Sequence, residues 1–167
     1  WHQVSDRSLK CWYIGSETAV HQFISFCQRN PSASSRNVRE ELSHKVGNYA
    51  IIVEQGNRLI AAVDKIRSYP VFYVKWDDRF AVSNSARALK SEIGLSEVDE
   101  LSAIEFRMAG YVTGKETLYK HLYQLQAGEF LIWEKIGRTL QKERYYLFCS
   151  YEVRDDKSED LVEELGE

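Results

Sequence analysis

Apolar and polar residues change their rhythm near Gly47, and that change divides the chain. Before it, KCWYI (residues 10–14) is a short β-rich run closed by Gly15 and predicts a strand. Residues 17–28, ETAVHQFISFCQ, place Val20, Phe23, Ile24 and Cys27 at helical spacing, so a helix with one buried face is predicted. The segment RNPSASSRN, with Pro31 and several serines, reads as a loop, and a second short helix over about 36–45 follows it.

After Gly47 the rhythm is that of strands. GNYAIIVE and RLIAAVD flank Gly56-Asn57 as a β-hairpin, and VFYVK and RFAVS flank Trp76-Asp77-Asp78 in the same way. IIV and LIAAV are continuous apolar runs rather than alternations, which predicts a sheet covered on both faces. Ser83 or Asn84 is placed to cap a helix running to about Glu92 and ended by Gly94. Asp99 or Ser102 opens another helix, with Leu101, Ile104, Phe106 and Met108 expected to face inward and Gly110 to stop it. Leu118, Leu122 and Leu125 can plug one edge of the core, and EFLIWEKIGRTLQKERYY is a third hairpin turning at Ile136-Gly137-Arg138. The last stretch, RDDKSEDLVEELGE, is acidic and helix-prone and predicts a linker helix. These elements sum to an α+β domain over 1–150, built of antiparallel hairpins with helices on the sheet faces, followed by a linker over 151–167.

Three segments, in this order, resemble the class II glutamine amidotransferase domain of asparagine-synthetase-like proteins. GNYAIIVEQGNRLIAAVDKIRSYPVFY is similar to that family's "G-x-fA-hairpin-aRD-x-x-G-x-x-PLyY" block. FAVSNSARAL resembles its "faSEikaL" passage from strand to helix. AGYVTGKETLYKHLYQLQAGEFLIWEKIGRTLQKERYYLF resembles its "gyvpg-x-xTlf-x-gI-x-xLpPGh" loop, hairpin and closing "rYw". The resemblance covers residues 47–148 and implies a four-layer αββα sandwich of the N-terminal-nucleophile hydrolase type. In that fold an N-terminal cysteine attacks the glutamine amide, its own α-amino group serving as base and N–H groups holding the oxyanion.

The chain opens WHQVSDR, and the family's "CGI-x-G", "HRGPD" and "NGEIYN" segments have no counterpart in it. The expectation is therefore a glutamine amidotransferase-like scaffold with no catalytic residue of its own. Cys11 lies inside a predicted strand, Cys27 on an apolar helix face and Cys149 after a strand, so all three read as structural or incidental thiols. His2, His21, His44 and His121 lack any metal-ligand spacing, so no metal is expected, and no GxSxG elbow offers a serine nucleophile. Asp64, with Lys65 and Arg67, reads either as a turn holding the hairpin connection or as a partner contact; Ser83 and Asn84 are the other binding or domain-contact candidates. Tyr145, Tyr146, Phe148 and Tyr151 predict packing at the core edge or a domain interface.

Composition narrows the partners. Net charge is −3 with a pI near 5.9, which gives no electrostatic attraction to nucleic acid. No apolar run approaches the roughly 20 residues of a membrane span. Three cysteines without a CxxC pair fit free thiols in a reducing cytoplasm. The resemblance further implies a C-terminal ATP-dependent synthetase domain opening with SGGxDS, which would hold ATP and Mg; this domain itself needs no cofactor. The expected partner is that synthetase domain. Two other readings stay open: a glutaminase with an atypical N-terminus, and a free-standing binding or dimerisation module that pairs through hairpin edges.

Overall fold

The computed structural model describes residues 1–76 and 79–149. Among these residues, nine strands and four helices run in the order β1 (His2–Ser5), β2 (Lys10–Gly15), α1 (Glu17–Arg29), α2 (Ser35–Ser43), β3 (Tyr49–Gln55) and β4 (Arg58–Val63). There follow β5 (Phe72–Trp76), β6 (Arg79–Ser83), α3 (Ala86–Ile93), α4 (Glu100–Ala109), β7 (Leu122–Gln124), β8 (Glu129–Glu134) and β9 (Thr139–Arg144). Strand pairing makes a six-stranded sheet ordered β1-β2-β3-β4-β8-β9 and a three-stranded sheet ordered β6-β5-β7, antiparallel throughout.

Alternation along β3 explains why both faces of the large sheet are dry. Tyr49, Ile51 and Val53 point to a core shared with Val20, Phe23, Ile24 and Cys27 of α1 and with Val38 and Leu42 of α2. Ala50 and Ile52 point the other way, to a core shared with Val71, Tyr73 and Leu125 of the small sheet. A third cluster, Val74, Leu89, Leu95 and Leu122, packs α3 on the far face of the small sheet. The layers are thus α1–α2, six strands, three strands and α3: the α+β, αββα sandwich implied by the resemblance. Side-chain caps start the helices, Ser16 accepting from the Ala19 N–H, Ser34 from Asn37 and Asp99 from Ser102.

Several expectations need correction. The cap of α3 is Ser85, whose side chain accepts the Ala88 N–H, not Ser83 or Asn84. All three residues are able to cap, and the choice falls where β6 releases the chain, after Ser83 has paired with Phe72. Ser83 instead accepts the Ser85 N–H at 3.1 Å. The second helix spans Ser35–Ser43 rather than 36–45. Strands β1 and β7 are not among the predicted elements; each is short, and β7 lies in the segment whose Leu122 and Leu125 are expected to plug the core edge.

The largest departure concerns α4, of which only Ser102 is buried. Leu101 is 76% exposed, Ile104 52%, Phe106 45% and Met108 83%. Periodicity identifies an apolar face but not what covers it. The outer face of the three-stranded sheet is narrow and already holds α3. The predicted linker over 151–167, the turn residues Asp77 and Asp78, and Tyr151 lie outside the described residues.

Candidate functional site

The loop that leaves β4 builds an extended polar network. Asp64 is 1% exposed, and its carboxylate accepts three backbone N–H groups: Tyr49 at 3.0 Å, Ile66 at 2.9 Å and Ser68 at 3.0 Å. Its own N–H donates to Tyr49 C=O, and its C=O accepts from Arg67 at 3.1 Å and Gly128 at 2.9 Å. A single residue, through its side chain and its backbone, therefore ties the β3–β4 end, the 64–70 loop and the turn before β8 together. Gly128 is confined there: it has φ +66°, and a Cβ would stand 2.2 Å from the Tyr146 carbonyl oxygen. Nearby, Tyr145 donates its hydroxyl to Val63 C=O at 2.7 Å and meets the Tyr49 hydroxyl at 3.0 Å. Burial pushes the Tyr49 hydroxyl up to about 12 and that of Tyr145 higher still.

Arg67, three residues on, behaves differently. It adopts φ +57°, a left-handed conformation that costs a non-glycine residue about 1 kcal/mol or more. In the motif "aRD-x-x-G-x-x-P", set against VDKIRSYP, this is the position of the glycine. The side chain crosses to the helix side of the small sheet and donates through Nη2 to the Gln124 side-chain oxygen. Gln124 in turn donates to the carbonyls of Gly114 at 3.0 Å and Glu116 at 3.1 Å, which straps the 111–119 loop onto β7. The Nε of Arg67 is buried without a partner, and burial lowers the guanidinium's affinity for its proton. Arg67 stands on the floor of a cleft of about 400 Å³ whose apolar walls include Phe72, Phe106, Tyr111 and Tyr119.

Ser83 and Asn84 do not join this cleft. They line a separate hollow with Trp1, Trp12, Ile52, Glu54, Leu59 and Val82, between the end of β6 and the large sheet. Lys65 lies over the Tyr146 ring at 5.2 Å. No group of three or more His, Cys, Asp or Glu that could hold a metal ion occurs among the described residues. Cys11 and Cys27 are buried, and desolvation pushes each thiol up to about 12, so neither offers a thiolate at neutral pH. Cys149 is exposed.

The family model for a glutamine amidotransferase domain matches residues 35–146, which are the hairpins, the Asp64 loop and the Arg67 cleft. The chain belongs to the glutamine amidotransferase domain family. No curated protein matches it. Among solved structures, this amidotransferase domain is similar to glutamine phosphoribosylpyrophosphate amidotransferase from B. subtilis, complexed with ADP and GMP. Identity is 15% with a TM-score of 0.42, over 88% of this chain and 31% of that one. It is also similar to a structure described as the allosteric regulatory enzyme of purine biosynthesis, at 15% identity and a TM-score of 0.48, over 87% and 30% of the two chains. The amidotransferase domain thus spans about a third of the length of those chains.

Sequence reasoning named Asp64 and Arg67 but not Gln124, the residue that joins Arg67 to the 111–119 loop. The signal available was positional: Arg67 stands where the motif has glycine, and a long cation there needs something to hold it. Sequence also gave no sign that Phe106 and Tyr111 would wall a cleft rather than fill a core.

Proposed function

We propose that this amidotransferase domain has kept the architecture of a glutaminase without the chemistry, and that it serves an ATP-dependent amide-forming domain of an asparagine-synthetase-related protein as a scaffold. The observation that carries this reading is the state of its thiols. Amide hydrolysis by this family's route needs an ionisable cysteine that a substrate can reach. Cys11 is fully buried in β2, its neighbours being the helix-side core, and its thiol is held protonated. Cys27 is in the same state on α1, and Cys149, although exposed, lines neither the Arg67 cleft nor the Ser83–Asn84 hollow.

Support for the scaffold role comes from how the domain is stabilised. Asp64 and Tyr145 invest buried polar groups in holding the sheet ends together and present no nucleophile to a cleft. The asparagine-synthetase relation rests on the three blocks of residues 47–148. In this reading ATP and Mg belong to the synthetase domain, which receives ammonia or a substrate amine directly, and the amidotransferase domain's own partner is that domain.

The test is glutamate release. Incubation of the protein with glutamine is expected to give no glutamate above the buffer rate, and Cys11→Ala is expected to change nothing. Turnover that disappears in Cys11→Ala would overturn the proposal.

A further inference from the structure

The Arg67 cleft has features that the scaffold role does not require. A guanidinium taken half out of water normally faces a carboxylate, because an uncompensated buried charge is costly. Among the described residues, the Arg67 guanidinium hydrogen-bonds only the neutral amide oxygen of Gln124. Glu116, the acidic residue lining the same cleft, lies 3.8 Å from Lys115 Nζ. Arg67 holds a strained left-handed backbone, φ +57°, at the position where the family motif has glycine. Three costs coincide at one residue: strain, desolvation and a missing counter-charge. None of them helps the loop, since Asp64 already holds it. The walls are also unusual. Phe106 is 45% exposed and Tyr111 62%, both lining the same cleft as Arg67 and both poorly covered by the protein itself.

We infer that the Arg67 cleft is a binding site for a small carboxylate with an apolar or aromatic body. The carboxylate would meet the guanidinium that Gln124 orients, and the body would lie against Phe72, Phe106, Tyr111 and Tyr119. Arginine suits a carboxylate because its planar fork presents parallel N–H donors. A volume of about 400 Å³ fits a molecule of amino-acid to dipeptide size. This inference stands apart from the scaffold proposal: a domain with no glutaminase activity can carry the site, and so can an active one.

Isothermal titration of the protein with hippurate tests it, with benzylamine and inorganic phosphate as comparison probes. Hippurate is expected to bind saturably at one site, and benzylamine, which has the ring but the opposite charge, not to bind. Phosphate, an anion without the ring, is expected to bind at least tenfold more weakly than hippurate. Arg67→Gly suits the backbone conformation, so its Tm is expected to stay or rise while hippurate affinity falls at least tenfold. Phe106→Ser alters only an exposed wall and is expected to weaken hippurate severalfold at unchanged Tm; it serves equally if Arg67→Gly fails to fold. No saturable hippurate binding, or binding unchanged in Arg67→Gly or in Phe106→Ser, would overturn the inference, as would phosphate binding as tightly as hippurate.

Discussion

Helices α1 and α4 both carry apolar residues at helical spacing, and the protein uses them in opposite ways. On α1, Val20, Phe23, Ile24 and Cys27 are all buried against the six-stranded sheet. On α4, Leu101, Ile104 and Met108 face outward, and Phe106 closes the side of a cleft instead of entering a core. The difference lies in the sheets beneath them. Six strands give a face broad enough for two helices, whereas three strands are covered once α3 has docked. One half of the sandwich is closed by its own side chains, and the other leaves apolar surface and a guanidinium open. Stability should therefore reside in the first half and recognition in the second.

Mutations should separate the halves sharply. Phe130 is fully buried at the centre of the helix-side core, and Phe130→Ala should cost about 4 kcal/mol, read as a fall in the denaturant midpoint. If the loss were below about 1 kcal/mol, the closed half would not be the stable one. Asp64→Ala should cost about 3 kcal/mol, because three backbone N–H groups lose their acceptor in a buried site.

Alkaline pH gives a third contrast, since the strongly perturbed groups of the closed half are acids held neutral by burial. Cys11, Cys27 and Tyr49 rise to about 12. A raised pKa means that the folded state keeps its proton where the unfolded chain has released it. Their contribution is thus fully present below the unfolded values, about 8.5 for cysteine and 10 for tyrosine. It is lost as pH climbs through about 12. Stability should fall steadily across that window, and Cys27→Ala should make the decline shallower. The smallest effect belongs to the open half: the pair Leu101→Ser and Met108→Ser should change stability by no more than about 0.5 kcal/mol, because neither side chain is covered. A large loss there would mean that α4 is part of the core after all.

The elements legible in the sequence were those whose signal is local. The Gly56-Asn57 hairpin, the α1 face and the Gly110 stop all follow from a few adjacent residues. Asp64 was legible as a turn residue from its local partners Ile66 and Ser68, but its bond to the Tyr49 N–H reaches across the hairpin and was not. What escaped depends on distant surroundings. The exposure of Leu101 and Met108 is decided by the width of a sheet assembled from β5, β6 and β7, which no window along the chain reports. The role of Gln124 is similar: it is far from Arg67 in sequence, and only the pairing of β5 with β7 brings them together. Ser85 took the cap from Ser83 and Asn84 because strand pairing, not residue type, fixed where β6 ends.

Covalent trapping separates the proposed glutaminase fold without glutaminase chemistry from a working glutaminase. A diazo-ketone analogue of glutamine alkylates the nucleophile of a working glutaminase, and intact mass spectrometry reads the adduct. No adduct that glutamine protects against is expected after prolonged incubation under native conditions, even with Cys149 exposed. A stoichiometric adduct that glutamine protects against, mapped to any cysteine of the chain, would contradict it.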